Sequence, residues 1–152
     1  MTDTDTFTFE RSFALPPDRI WHLMTDPGMR ESWSAPGDAV LVTLSSDLRV
    51  GGSDRQRCGP EDAPEFEVET RWYQLDSPSD ATFTEVIEAG GMWLGVSLVS
   101  YRISPDGPGS KVFVNVAVVS FVGAEMIEEF RAGWTGGIEN LDRLVAAKAR
   151  PA

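Results

Sequence analysis

Polar and apolar residues alternate at the start of the chain, where Phe7, Phe9 and Phe13 are separated by polar residues. A period of two residues is typical of a β-strand with one buried face. Prolines at positions 16 and 17 follow after two residues and cannot continue the pairing of a central strand. The sequence therefore predicts a first strand that ends before these prolines.

A short helix is predicted next, because Pro17 suits a first helical position and Asp18 places a carboxylate near the positive end of the helix dipole. Asp26 and Pro27 interrupt that helix. One further helical turn is predicted over residues 29–33, before the next proline and glycine.

The middle of the chain has the composition and turn signals of consecutive strands. The predicted strands cover residues 40–42, 53–58, 65–75, 83–87, 95–103 and 111–121. The third of these alternates most clearly, with Phe66, Val68, Thr70 and Trp72 on the dry face. Short turns rich in glycine and proline connect the strands, which favours an antiparallel meander.

The last segment changes to a helical period of three and four residues. Its apolar stripe contains Met126, Ile127, Phe130, Trp134, Ile138, Leu141, Leu144 and Val145. This spacing predicts a helix of about twenty residues that covers the dry face of the sheet. The fold class is therefore α+β, with a curved antiparallel sheet of six to seven strands around a long C-terminal helix.

A length of 152 residues fits one domain with a substantial core. We expect a single domain over residues 1–152, with flexible ends at 1–5 and 149–152. The sequence does not determine the oligomeric state, and a homodimer is among the states that it allows.

The formal net charge of −11 argues against nucleic acids and anionic membrane surfaces as partners. Lys and Arg never occur three in a row, so no basic patch is evident in the sequence. An acidic N-terminus unlike a signal peptide, and the lack of a long apolar run, predict a cytoplasmic protein.

Four stretches in order along the chain carry a family resemblance. Residues 9–21 combine a strand, a pair of prolines and a helix with a tryptophan, and residues 25–27 with Trp33 form a turn between helices. Arg49 precedes a double glycine in residues 47–52. In the C-terminal helix, residues 133–134 are Gly-Trp and residues 141–144 are Leu-Asp-Arg-Leu.

These stretches resemble the START-like (SRPBCC) superfamily with the helix-grip fold. Within it the chain is similar to proteins related to the activator of the heat-shock protein 90 ATPase. The resemblance implies one of several functions, because the superfamily includes ligand carriers, hydroxylase-associated domains, aromatases and cyclases, and co-chaperone domains.

Two glycines, Gly133 and Gly137, lie on the apolar stripe of the C-terminal helix. Each costs about 1 kcal/mol relative to alanine in a helix interior. Their position indicates either a cavity between helix and sheet or a close contact in which only glycine fits. Gly136 is predicted to face solvent.

Aromatic side chains are abundant, with five tryptophans and eight phenylalanines, and such residues bind flat apolar ligands well. Trp21 and Trp33 are predicted to belong to the core. Trp93, beside a Gly-Gly loop, is a candidate for the rim of an entrance. The other candidate ligand-binding aromatic residues are Phe66, Trp72, Phe83, Tyr101, Phe130 and Trp134.

Arg102 and Asn115 are candidate polar anchors for a ligand carbonyl or carboxylate, if their strand faces point inward. His22 is the only histidine and Cys58 the only cysteine, and neither is placed in a pattern that indicates a nucleophilic or acid–base device. The carboxylates alternate on wet faces, so the sequence predicts no metal site and implies no cofactor.

Three functions remain open. The leading hypothesis is the binding of a small apolar or aromatic molecule between sheet and helix. The alternatives are an enzyme of the aromatase or cyclase type, although no catalytic constellation is recognisable, and contact with a chaperone ATPase, which only the resemblance implies.

Overall fold

Strands and helices make up most of residues 2–150, the part of the chain that this computed structural model describes. The strands are β1 (Asp3–Phe13), β2 (Val40–Ser45), β3 (Ser53–Gly59), β4 (Phe66–Asp76), β5 (Asp80–Ala89), β6 (Met92–Asp106) and β7 (Gly109–Ser120). The helices are α1 (Pro17–Thr25), α2 (Pro27–Arg30) and α3 (Ala124–Ala149).

The seven strands form one antiparallel sheet in the order β1-β7-β6-β5-β4-β3-β2. Strands β2 to β7 follow one another as hairpins, and β1 closes the order by pairing with β7, where Phe7 lies opposite Val116. The two short helices connect β1 to β2. The predicted α+β architecture, with a long C-terminal helix and two short helices after the first strand, is confirmed.

The N-terminal strand is longer than its phenylalanine pattern indicates. Residues 3–5, which the sequence suggested to be flexible, pair with β7, and Asp3 lies opposite Ser120. The carboxylate of Asp5 also accepts a hydrogen bond from Arg131 of α3. At the other end α3 extends to residue 149 and is longer than expected. Residues 1, 151 and 152 lie outside the described part of the chain.

The core lies on the inner face of the sheet, under the three helices. Its fully or nearly buried members include Phe7, Ile20, Met24, Trp33, Trp72, Phe83, Val99, Tyr101, Val116, Ile138, Leu141 and Val145. Trp33 also donates a hydrogen bond from its indole N–H to the carbonyl of Leu23, at 2.8 Å. Trp33 is therefore a core residue, as predicted, and Trp21 packs against the core while partly exposed.

The helices do not cover the sheet evenly. Helix α3 lies close to β1 and β7, α1 to β6 and β7, and α2 to β2. The C-terminal half of α3 is tied to the first strand by an ion pair between Arg11 and Asp142, at 3.1 Å. Within the described part of the chain, the helices therefore cover the inner face of β3, β4 and β5 less closely.

A substitution of Leu141 tests the packing of α3 on the sheet. Leu141 is fully buried, so Leu141→Ala should reduce the free energy of unfolding by about 2–5 kcal/mol. Urea denaturation followed by circular dichroism measures the change. Leu98, which is 51% exposed on β6, is the matched control, and its replacement by alanine should cost less than about 1 kcal/mol. Equal losses at both leucines would contradict the observed packing.

Candidate ligand cavity

A cavity of about 260 Å³ lies between β2–β5 and the N-terminal half of α3. Most of its lining is apolar. The apolar side chains come from the sheet, from the segment after α2 and from α3, and they are Trp33, Pro36, Ala39, Leu41, Phe66, Val68, Ile87, Met126, Phe130 and Trp134. The volume lies just below the range of about 300–1,000 Å³ that is usual for drug-sized ligands, so the space suits a compact molecule.

The two glycines on the inner side of α3 have different surroundings. A Cβ added to Gly133 would have no neighbouring atom within 4 Å, so this glycine faces the open space of the cavity. A Cβ added to Gly137 would lie 3.0 Å from the carbonyl oxygen of Ser34. Gly133 thus fits the cavity interpretation, and Gly137 fits the interpretation of close contact.

Gly136 does not face solvent, contrary to the prediction. A Cβ there would lie 2.6 Å from Cβ of Pro36. The reason is that the segment after α2 crosses α3 at this point. The side-chain amide of Asn140 holds that crossing by donating to the carbonyl oxygens of Trp33 and Ala35, at 3.2 and 2.8 Å.

Phe130 forms part of the cavity wall. Its ring lies against Gly95 of β6, where an added Cβ would be 2.8 Å from Cε2 of the ring. The missing side chain at Gly95 lets the ring of Phe130 reach the sheet.

A buried ion pair forms the polar part of the cavity. Nη2 of Arg30, on α2, lies 3.5 Å from Oε2 of Glu85, on β5, and both residues line the cavity. Arg30 is only 2% exposed and Glu85 9%. Within residues 2–150, Nε and Nη1 of Arg30 have no hydrogen-bond partner. Leaving buried N–H donors without acceptors costs free energy. Here the unpaired donors belong to a residue that lines the cavity.

Local sequence places Arg30 at this point. Asp26 caps α2 by accepting a hydrogen bond from the backbone N–H of Met29, at 3.1 Å, and Pro27 occupies a first-turn position where its missing N–H costs nothing. The backbone of Ser34 then donates to the carbonyl of Arg30, at 2.9 Å. The tight turn directs the chain back over the sheet, with Arg30 buried.

Two aromatic rings lie beneath the Arg30 guanidinium, and a third packs against one of them. Its carbon Cζ is 5.9 Å from the ring centre of Trp72 and 5.3 Å from that of Phe83. The rings of Phe83 and Tyr101 are 5.2 Å apart in an edge-to-face arrangement. Trp72 and Phe83 support the guanidinium by cation–π attraction.

Burial changes the acidity of the groups around the ion pair. Desolvation raises the pKa of Glu85, and the charge and hydrogen bond of Arg30 partly oppose this increase. Desolvation likewise raises the pKa of the Tyr101 hydroxyl. The pKa of the Cys58 thiol, which lines the cavity, is raised by burial and by the negative charge of Glu85.

The structure brings together five of the candidate residues named from the sequence. The cavity is lined by Phe66, Phe130, Gly133, Trp134 and Gly137.

Trp72, Phe83 and Tyr101 belong to the buried aromatic layer instead and are at most 1% exposed. Trp72 donates its indole N–H to Asp54, at 3.2 Å. Trp93 is 65% exposed and does not appear in the lining.

The two candidate polar anchors lie on the outer face of the sheet, away from the cavity. Tyr101 and Ile103 occupy the inner face of β6, so alternation turns Arg102 outward, where it lies 3.8 Å from Asp80. Asn115 is turned outward in the same way between inward-facing valines of β7.

Sequence reasoning missed the ion pair. Glu85 shares the inner face of β5 with Ala81, Phe83 and Ile87, and a carboxylate on a dry strand face was a signal that could have been used. Arg30 offered no such signal, because a helix of four residues has too little length to show a period.

Within the described residues, no group of three or more His, Cys, Asp or Glu side chains is arranged to hold a metal ion. None of the helices in that part of the chain is long and apolar enough to cross a membrane.

An antiparallel sheet that wraps a long C-terminal helix defines the chain as a protein of the START-like, helix-grip class. A model of the family described as Activator of Hsp90 ATPase homolog 1-like protein matches residues 14–146. The chain belongs to this family. No curated protein matches the chain significantly.

Solved structures share the fold over nearly the whole chain. A protein of Chromobacterium violaceum is 21% identical, with a TM-score of 0.80 over 92% of this chain and 96% of its own. A protein of Rhizobium loti is 23% identical, with a TM-score of 0.79 over 94% and 98%. The AHSA1 protein of Silicibacter pomeroyi is 18% identical, with a TM-score of 0.79 over 95% and 99%. At these identities the likeness shows the fold alone.

The pH dependence of stability tests the environment of Glu85. A carboxyl group whose pKa is raised in the folded state binds more protons there than in the unfolded chain. Its contribution to stability is therefore largest below the ordinary Glu value of 4.5 and is lost as the pH rises through the folded value.

We expect the free energy of unfolding of the wild type, relative to Glu85→Gln, to decrease as the pH is raised from about 4.5 towards neutrality. Urea denaturation at a series of pH values measures this slope. Glu10→Gln, at an exposed position of β1, controls for the loss of one negative charge. If the free energy of unfolding of the wild type, relative to Glu85→Gln, instead increased with pH, the pKa of Glu85 would be lowered in the folded state.

Proposed function

We propose that this protein binds a small apolar or aromatic molecule in the cavity between β2–β5 and α3. The observation that carries the proposal is the open space in front of Gly133, where an added Cβ would meet nothing within 4 Å. A helix normally fills such a position with a side chain, because protein interiors are closely packed. The surrounding walls are apolar and aromatic, which is the usual character of small-molecule sites.

Family membership supports the same proposal at a coarser level. The resemblance noted in the sequence links the fold to ligand carriers as well as to co-chaperone domains. Cytoplasmic location remains a prediction from the sequence, and the oligomeric state remains open.

Filling the cavity from Gly133 tests the proposal. Gly133→Leu should weaken the binding of naphthalene by about tenfold or more, because the new side chain would occupy the ligand's volume. The fold should be kept, since leucine is the better helix former by up to about 1 kcal/mol. Ala132→Leu, at the exposed neighbouring position of α3, is the matched control and should leave the affinity unchanged.

Binding can be followed through the tryptophan indole N–H signals in nitrogen–proton correlation spectra. The signals of Trp134 and Trp33, which line the cavity, should shift on addition of naphthalene. The signal of the exposed Trp93 should stay in place. A wild-type protein whose cavity tryptophans do not respond, or a Gly133→Leu variant that binds as well as the wild type, would contradict the proposal.

An enzyme of the aromatase or cyclase type is the second candidate, and the carboxylate of Glu85 inside the cavity favours it. A carboxylate can remove a proton next to a ligand carbonyl, and the electron pair then moves onto the carbonyl oxygen, which the Arg30 donors would stabilise. The resulting enolate carbon would attack a second carbonyl of the same ligand, and the new alkoxide would take up the proton.

Intramolecular aldol addition within a synthetic aryl diketone, which forms a cyclic β-hydroxy ketone, measures this activity. Glu85→Gln should then abolish turnover while binding persists. A wild-type protein that binds the diketone and returns it unchanged would exclude this chemistry for that substrate.

Contact with a chaperone ATPase is supported by the family description alone. Co-precipitation with a purified chaperone would distinguish this function from ligand binding.

A further inference from the structure

The Arg30 guanidinium has hydrogen-bonding capacity that the protein does not use. A guanidinium carries five N–H donors, and the contact to Glu85 at 3.5 Å involves only Nη2. Nε and Nη1 are buried and find no acceptor anywhere in residues 2–150. An acceptor atom brought by a ligand would relieve the cost of leaving these donors unpaired.

The guanidinium cannot turn freely to find another partner. One side of it is held over the rings of Trp72 and Phe83, at 5.9 and 5.3 Å. Glu85 lies beside it, and Arg30 is also part of the cavity lining. A ligand in the cavity is therefore well placed to supply the missing acceptor.

The charge of the site restricts the kind of acceptor. Arginine stays protonated in proteins, and the carboxylate of Glu85 provides the compensating charge, so the pair as a whole is neutral. A ligand carboxylate would bring a second negative charge close to Glu85 in a largely apolar space, where like charges repel strongly. Glu129, a second carboxylate in the lining, adds to this repulsion at the mouth of the cavity. A carbonyl oxygen accepts the same hydrogen bonds without adding charge.

We infer that the cavity selects an uncharged ligand, with a compact apolar body and a ketone- or ester-type carbonyl that accepts hydrogen bonds from Arg30, over the carboxylate of the same skeleton. This inference rests on the proposed binding function and adds the chemical class of the ligand. The apolar body would lie against Phe66, Val68 and Ile87 on the sheet and against Phe130 and Trp134 on the helix.

Three probes with one skeleton test the inference by titration calorimetry at mildly alkaline pH. Naphthalene has no polar head, 2-acetylnaphthalene has a neutral carbonyl, and 2-naphthoate has a carboxylate. The affinity of the wild type for the ketone should exceed its affinity for each of the other two probes by about tenfold or more.

Glu85→Gln should change this preference, because it leaves the guanidinium charge uncompensated while keeping a side chain of the same shape. In that variant the affinity for 2-naphthoate should rise by about tenfold or more, with a smaller change for the ketone. Glu129→Gln is the matched control, since it removes an equal charge from the same cavity at a residue that makes no ion pair with Arg30. Its effect on 2-naphthoate should be much smaller.

The outcomes separate the inference from the proposed function. Equal affinities for the ketone and naphthalene, or tightest binding of 2-naphthoate by the wild type, would overturn the choice of ligand class and leave ligand binding intact. Failure of all three probes to bind the wild type and both variants would count against the binding function itself. A preference for the ketone that Glu85→Gln leaves unchanged would overturn the role assigned to the ion pair.

Discussion

One geometric constraint shapes this protein: a single long helix is too narrow to cover a sheet of seven strands. Strands lie about 4.8 Å apart, so the sheet is about 29 Å wide, whereas a helix with its side chains is about 10–12 Å across. Helix α3 packs on β1 and β7, and the two short helices cover β6, β7 and β2. The cavity lies over β2–β5, between this part of the sheet and the N-terminal half of α3.

Glycine on the helix keeps this space open, and the segment after α2 limits it. Gly133 removes a side chain where one would enter the cavity, while Gly136 and Gly137 let the backbone near Pro36 and Ser34 approach the helix closely. Glycines about one turn apart in the same helix thus have opposite effects on packing. The cavity is bounded by a backbone crossing on one side and by the ring of Phe130 on another.

Burying the charged Arg30–Glu85 pair in such a small core costs desolvation free energy. Buried ion pairs add little to stability compared with apolar residues of similar size. Aromatic rings support the guanidinium from below, and the carboxylate neutralises its charge. The result is a polar spot in an otherwise apolar cavity, and a few placed polar groups of this kind are what orient ligands in small-molecule sites.

Much of the fold could be predicted from local patterns. The alternation of β4 and the helical stripe of α3 identified the inner faces correctly, because side-chain direction follows from backbone geometry within one element. The same patterns could not separate Phe66, at the cavity, from Trp72, in the buried layer beneath Arg30, since both lie on the inner face of β4. Their difference depends on what lies above each end of the strand.

Local patterns were therefore enough to predict the elements, their order, the inner faces of β4 and α3, and the family, but not the inner faces of β6 and β7. The packing of the elements in three dimensions settles which inward residues border open space, which glycine faces a cavity and which a neighbouring backbone, and that Arg30 meets Glu85. The physical reason is that periodicity specifies a direction relative to one strand or helix. Depth, neighbours and charge partners arise where elements distant in the chain pack together, as α2 and β5 do at this ion pair.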